Sequence, residues 1–304
     1  MEIIKVKGNT FCIDTGMSYI PFYKVNDEEI IMLDSGLAKE REGIDKLLEK
    51  NNFKVIAIIC THVHVDHTGN VSYLKDKYNS LVAMTGYDAF LSSSAITLKT
   101  HYINQTLSEV KTDFGHMICK ADIIIGDNQD SVSINDIKFK IIHTPGHSAK
   151  HICIITPDNV VYLADALVSS EIMEGAKLPY SFALTEDLKS KQKLLKLKCS
   201  KYIVSHKDVY TSIRKLINEN IKFYKSIASN VYNIINASMT LEEIIKTIIE
   251  DWNISVKNSG KYLVIEESLM PYIEYLKEIG MIKLIMEDGV LKYTRNCVEI
   301  SKAL

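Results

Sequence analysis

Short apolar runs broken by turn residues open the chain. Ile3 to Val6, Thr10 to Ile13, Tyr19 to Val25 and Ile30 to Leu33 are separated by Gly8-Asn9, Asp14-Thr15-Gly16 and Asn26-Asp27. Runs of this length with this punctuation predict strands. Over residues 40–51 the pattern changes: Ile44, Leu47 and Leu48 share one face among charges, which predicts a helix. Val55 to Cys60 is short, continuous and rich in β-branched residues, as a buried strand is. A helix at about 70–78 follows, then a mainly helical segment from Gly86 to Lys120 carrying Tyr87, Phe90, His101, Tyr102, Phe114 and His116. The β pattern resumes at Asp122 to Ile125, Ser131 to Ile134 and Ile137 to Ile142, with Asn135-Asp136 as a hairpin turn. His151 begins a strand through Ile155, and Pro157-Asp158-Asn159 turns the chain into Val160 to Leu163. Thr185-Glu186-Asp187 supplies a cap and an acidic first turn for a helix over 185–197, and Tyr202 to Val204 is the last expected strand.

Past Asp208 the alternation stops. Residues 211–236 form one helical pattern, with an apolar stripe running from Ile213 to Ile235. Ser238 to Glu243 caps a second helix reaching Asp251. Tyr262 to Ile279 predicts a third, interrupted near Pro271 and ended at Gly280. Met281 to Met286 and Val290 to Thr294 flank Glu287-Asp288-Gly289, a hairpin signature. The chain therefore divides into a unit over 1–210, with a helical insertion at about 84–120, and a unit over 211–304. Helices followed by a hairpin resemble a small winged-helix unit. Residues 237–304 hold eleven acidic and eight basic side chains, the wrong sign for gripping phosphates. A packing, pocket-wall or dimerisation role is favoured there, although the helix over 211–236 is more basic.

Composition narrows the class. With 304 residues, 46% hydrophobic and 24% charged, the chain has the make-up of a soluble globular protein of one or two domains. A formal net charge of −2 supplies no global field toward nucleic acid or a membrane. Cys12, Cys60, Cys119, Cys153, Cys199 and Cys297 form no C-x-x-C pair, so reduced, mostly buried thiols are expected. The N-terminus lacks a basic start and an apolar core, and no stretch approaches the ~20 residues that span a bilayer. A cytoplasmic location and no membrane partner are expected.

The chemistry concentrates in Thr61-His62-Val63-His64-Val65-Asp66-His67, where a strand ends and the chain turns toward a helix. Alternate side chains of an extended segment share a face, so His62 and His64 approach one metal together. The following turn swings Asp66 and His67 toward a second. Three histidines around an aspartate are hard to bury without an ion.

H-x-H-x-D-H resembles the signature of the metallo-β-lactamase superfamily of metal-dependent hydrolases, and four more motifs agree with it. His147 lies in Thr144-Pro145-Gly146-His147-Ser148, Asp165 in Tyr162-Leu163-Ala164-Asp165, His206 in Ser205-His206-Lys207, and Asp34 in Asp34-Ser35-Gly36. The resemblance covers about residues 1–210. It implies an α/β fold, a four-layer αβ/βα sandwich, here with the small helical C-terminal domain. It also implies a ligand set of His62, His64 and His147 for one ion and Asp66, His67 and His206 for the other, bridged by Asp165 and supported by Asp34. Two divalent ions are implied, zinc first, with iron or manganese as alternatives. Coordination lowers a water's pKa from 15.7 toward ~7, giving a metal-bound hydroxide, which Asp66 orients and from which it passes a proton. His151 reads as a supporting residue rather than a ligand, and His101 and His116 as lid or surface residues.

Di-iron redox members of the family carry glutamate at the position of His64, and true class B β-lactamases lack the bridging aspartate. The pattern therefore resembles the glyoxalase II-like and lactonase-like branches, with a small-molecule ester, thioester or lactone as substrate. A phosphodiesterase or ribonuclease on the same centre is the runner-up, and would need a basic track that the sequence does not show. A metabolite-binding sensor is the third reading. Nucleic acid is disfavoured as a partner, a homodimer stays open, and the substrate-binding residues are unassigned. Ser205-His206-Lys207 replaces the family's more common G-H-G and puts Lys207 near the rim, solvated or facing an acidic substrate.

Overall fold

A computed structural model describes residues 1–206 and 208–296; the readings of Lys207 and Cys297 fall outside the described residues. Seven strands form the first sheet in sequence order: β1 (Glu2–Lys7), β2 (Thr10–Asp14), β3 (Tyr19–Lys24), β4 (Glu29–Leu33), β5 (Lys54–Ile59), β6 (Leu81–Thr85) and β7 (Ile123–Ile125). Pairing is antiparallel as far as β4 and parallel beyond it. The second sheet contains β8 (Ser131–Ile134), β9 (Ile137–His143), β10 (Ile152–Ile155), β11 (Val160–Ala164), β12 (Lys201–Val204) and β13 (Asp208–Tyr210), in the order β13-β12-β11-β10-β9-β8.

The continuous apolar runs are explained by burial on both faces. Ile31 and Leu33 point between the sheets toward Phe139, Ile154 and Tyr162. Their neighbours Ile30 and Met32 point outward, onto Ile44 and Leu48 of α1 (Arg41–Lys50). On the second sheet's outer face, Val161, Leu163 and Val204 meet Leu194, Ile213, Leu216 and Ile217. Helices thus cover both outer faces of two packed sheets, the four layers expected. All the parallel strands of the first sheet end at one rim, where loops carry the chemistry.

The next helices are α2 (Val65–Thr68), α3 (Val71–Tyr78), α4 (Gly86–Leu91), α5 (Ala95–Lys99), α6 (Leu107–Asp113), α7 (Ser170–Gly175) and α8 (Leu184–Leu194). Helices α4–α6 make up the inserted segment. After β13 come α9 (Arg214–Ile234), α10 (Leu241–Asp251) and α11 (Ser259–Glu278), then the ribbon β14 (Ile282–Glu287) and β15 (Val290–Arg295). Asp288 and Gly289 take φ of 50° and 76°, as a tight two-residue hairpin turn requires. Thr240 and Glu243 close a reciprocal capping box at the start of α10. No helix among the described residues is long and apolar enough to cross a membrane.

Helix α9 joins two cores. Its Leu216 and Ile217 pack on the second sheet, while Tyr224, Val231 and Ile234 pack among α10 and α11. Leu184 and Leu188 of α8 belong to that second core as well. Polar ties cross the same seam. Asn220 exchanges hydrogen bonds of 2.9 Å with the backbone of Val168, and the Tyr272 hydroxyl donates to Pro179 O at 2.8 Å.

Four local expectations differ from the structure. The β6 strand goes unpredicted, because Leu81-Val82-Ala83-Met84 mixes good helix formers with no alternation. β13 extends the second sheet beyond β12. Helix α8 starts at Leu184 with Ala183 at its N-cap, and the Thr185 hydroxyl bonds Glu278 instead of capping. Helix α11 runs unbroken through Pro271, which is buried on its packed face.

Candidate metal centre

The end of β5 places the first four donors. His64 is still extended (φ −123°, ψ 158°), and α2 then coils the chain for a single turn, so His62 and His64 leave in one direction and Asp66 and His67 in another. Gly69 lets that turn close: a Cβ there would stand 2.5 Å from Ala38 N and 2.6 Å from Gly36 O. Asp34, itself at φ 64°, anchors the loop from beneath. Its buried carboxylate accepts the Thr61 N–H at 2.7 Å, the Thr61 hydroxyl at 2.7 Å and Nδ1–H of His67 at 2.7 Å. The His67 ring is thereby fixed with Nε2 toward the centre, as a carboxylate behind a ligating histidine does.

The other three donors arrive from the second sheet. In the loop before His147, Gly146 has φ 137°, and a Cβ would collide with Asp187 Cα at 2.1 Å, so no other residue fits. Asp165 follows Ala164, a non-glycine residue at φ 45°, so strain sits beside a site residue. His151 is fully buried behind it. It accepts the Asp165 N–H at Nε2 (3.3 Å), and its Nδ1 pairs with the Thr144 hydroxyl (2.8 Å). His206 follows the end of β12.

All seven expected donors converge as two adjoining sets: His62, His64 and His147, and Asp66, His67, Asp165 and His206. His64 Nδ1 lies 2.9 Å from His62 Nε2 and 3.1 Å from His147 Nε2. In the second set, His67 Nε2 is 3.6 Å from Asp66 Oδ2 and 3.5 Å from Asp165 Oδ1. His206 Nε2 is 3.5 Å from Asp66 Oδ2 and 3.6 Å from Asp165 Oδ2. The same Asp165 Oδ2 is 3.3 Å from His147 Nε2 of the first set. Donors on one tetrahedral ion with bonds of ~2.0–2.1 Å stand about 3.3–3.4 Å apart. The spacing of the second set is that of co-ligands, too long for hydrogen bonds.

Two further observations fit an ion here. His67 Nε2 and Asp165 Oδ1 are buried without a hydrogen-bond partner among the described residues, a costly arrangement that an ion relieves. The protonation states also suit the two sets. Burial, reinforced by neighbouring imidazoles, pushes His62 and His64 well below the ordinary histidine value, and burial lowers His147 as well. These rings are neutral, the form that binds a metal. Burial opposes the proton on His67, but Asp66, Asp165 and Asp34 outweigh it and raise that ring; Asp165 likewise raises His206. An ion entering the second set displaces those protons.

A cavity of about 320 Å³ opens over the donors. His101 forms one wall, its ring 5.3 Å from that of His64, with Tyr102 beside it. The inserted segment is thus a pocket wall. Burial, then the nearby His147, draw His101 down to about 4, and it belongs to neither donor set. His116 stays partly buried in a short turn and is not a donor either. Tyr180 closes the mouth, with ring centroids 5.6 Å from His64 and 5.7 Å from His147. Val264, Glu267 and Ser268 of α11 supply the remaining wall. Sequence reasoning missed Tyr180 and these three. Only the i, i+3, i+4 spacing of Val264, Glu267 and Ser268 hinted that they share a face.

His151→Ala tests the supporting role: metal affinity or activity is expected to fall ~10-fold, at the lower edge of what outer partners of ligands contribute. Titration with a chelator and steady-state kinetics measure it. A loss as large as that of Asp165→Ala would make His151 a ligand.

Residues 13–206 match the family model described as the metallo-beta-lactamase superfamily. The chain belongs to this superfamily. Among similar proteins, an uncharacterized protein of Aquifex aeolicus (strain VF5) is 31% identical over 142 residues, which is 46% of this chain and 60% of that one. The chain thus spans less than two thirds of that relative's length. The hydroxyacylglutathione hydrolase of Pelagibacter ubique (strain HTCC1062) is 26% identical over 215 residues, covering 69% of this chain and 77% of that enzyme. Among solved structures, a beta-lactamase domain protein from Burkholderia ambifaria superposes with a TM-score of 0.69 at 15% identity, covering 97% of this chain and 94% of its own. A metallo-beta-lactamase family protein from Thermus thermophilus gives 0.68 at 13% identity, covering 97% and 98%. At that coverage the shared fold includes the C-terminal helices.

Proposed function

We propose that the chain is a metal-dependent hydrolase that cleaves a small ester, thioester or lactone at a dinuclear centre. The observation that carries this reading is the position of Asp165, whose Oδ1 faces His67 while Oδ2 faces both His147 and His206. When bound, two divalent ions supply a water acidified toward a pKa of ~7 and a Lewis acid for the developing oxyanion. Zinc is the first expectation for this mixed N/O set, with iron or manganese as alternatives.

The chain's own residues do the rest. His62, His64 and His147 stand deprotonated and ready to coordinate. Asp66, a quarter exposed at the mouth, orients the nucleophile and takes its proton. Burial raises the Tyr180 phenol, which therefore stays protonated and offers a donor at the mouth. His101, Tyr102 and the α11 face wall the cavity over the donors.

The likeness to a hydroxyacylglutathione hydrolase supports a thioester in particular. The presence of Asp165 supports a thioesterase-like or lactonase-like enzyme over a true β-lactamase. A nuclease needs a basic track, and among the described residues no Lys or Arg lines the cavity over the donors. A sensor without catalysis needs no full set of seven donors. Elemental analysis of the zinc-reconstituted protein is expected to give close to two ions per chain, with turnover of thioesters or lactones ahead of phosphodiesters. DNA and RNA binding is expected to be absent at micromolar protein. A protein that retains no ion refutes the reading, and nucleic-acid binding that falls steeply with salt promotes the nuclease.

A further inference from the structure

Beyond the cavity over the donors lies a second chamber of about 340 Å³, which shares His101, Tyr180 and Glu267 with the first. The two cavities adjoin at these three residues, within reach of a molecule whose scissile group sits over the donors. The chamber's walls are of two kinds. Tyr87, Tyr180 and Phe182 bring aromatic rings, and Phe182 is 46% exposed. Glu266, Glu267 and Glu274 of α11 bring carboxylates, Glu267 and Glu274 standing two helical turns apart on one face. No Lys or Arg lines either cavity among the described residues, and none of the three glutamates is paired with one.

Resting on the hydrolase reading and deepening it, we propose that this chamber seats the distal limb of the substrate, and that the limb is an apolar chain bearing an alkylammonium group. The chemistry of the walls selects it. Ring faces attract a cation that sheds its water, most of all a quaternary or alkylated ammonium, and unpaired carboxylates add charge complementarity. Among the described residues an anionic limb meets three carboxylates and no Lys or Arg. A glutathionyl group brings two carboxylates beside its one ammonium, a net negative charge, so a limb whose only charge is cationic fits these walls better.

The test uses the zinc-reconstituted full chain and a matched series of short-chain thioesters whose acyl ends carry trimethylammonium, its neutral tert-butyl isostere, or carboxylate. The ammonium thioester is expected to exceed the carboxylate in kcat/KM by about tenfold or more, mainly through KM. Glu266→Gln/Glu274→Gln and, separately, the surface substitution Phe182→Ala are each expected to shrink that ratio severalfold. Calorimetry with butyltrimethylammonium, its neutral carbon isostere and butanesulfonate reads the chamber without turnover, and only the ammonium probe is expected to bind. Equal kcat/KM for all three thioesters, or sulfonate binding as tight as ammonium, overturns the inference and leaves the hydrolase reading intact. Ammonium binding at the chamber with no thioester, ester or lactone cleaved refutes the hydrolase reading and leaves an ammonium site.

Discussion

Asp165→Ala is expected to abolish hydrolysis and to bring metal content from close to two ions per chain to below one. Among the described residues the carboxylate is the one side chain that faces donors of both sets so closely: Oδ1 toward His67, Oδ2 toward His147 and His206. Burial alone would raise its pKa, but His67, His206 and His147 hold it well below the ordinary carboxylate value, so it is ionised at neutral pH. Its removal takes away the negative charge that ions bound in the two sets would share, and leaves His67 Nε2 and His206 Nε2 with Asp66 as their one remaining close carboxylate among the described residues. The loss in kcat/KM should exceed the 10–100-fold typical of outer partners. Asp165→Asn keeps the shape and one acceptor oxygen without the charge, so it separates electrostatics from packing. Metal analysis with kinetics on both variants, after thermal melting has shown them folded, gives the result. Two retained ions with activity within tenfold of the parent would remove Asp165 from the bridge.

The parts of this site legible in the sequence are those that backbone geometry or a family motif marks. His62 to His67 could be read because an apolar run ends in an extended segment and then a turn, which splits the donors by direction. His147, Asp165 and His206 were legible only through the resemblance to the superfamily's motifs, and the structure supplies the local reasons: a glycine loop at Gly146 that admits no Cβ, and two strand ends. Asp34 lies far from His67 in sequence, yet its D-S-G turn marked it as support. The pocket walls were not legible. Tyr180 sits in a loop with no motif, and Val264, Glu267 and Ser268 reach the donors only because α11 docks against α8 and α9. Docking of that kind is set by the shape of two cores, which no local pattern encodes. Thr185 shows the same limit in miniature. Its type and position suggest a cap, but the approach of Glu278 from α11 claims the hydroxyl.

Truncation after Asp208 is expected to leave the protein insoluble or inactive. The long apolar stripe of α9 packs on the second sheet and among α8, α10 and α11. Removing α9 uncovers Val161, Leu163 and Val204 on the second sheet's outer face, and Leu184 and Leu188 on α8. Each such side chain contributes about 1.5–3 kcal/mol on burial, so uncovering all five costs an amount comparable to the ~5–15 kcal/mol by which a domain is typically stable. The active-site consequence is independent of folding. Without α11 the wall made by Val264, Glu267 and Ser268 is gone, and the donors open directly to solvent. Soluble yield and, for any soluble fraction, KM and kcat give the readout, with a raised KM as the mark of the missing wall. Tyr272→Phe serves as the graded companion: it removes only the hydroxyl bond to Pro179 O and should cost about 0.5–1.5 kcal/mol while the protein still folds. A truncated chain that is soluble, with the parent's KM, would show that the C-terminal helices are neither cover nor wall.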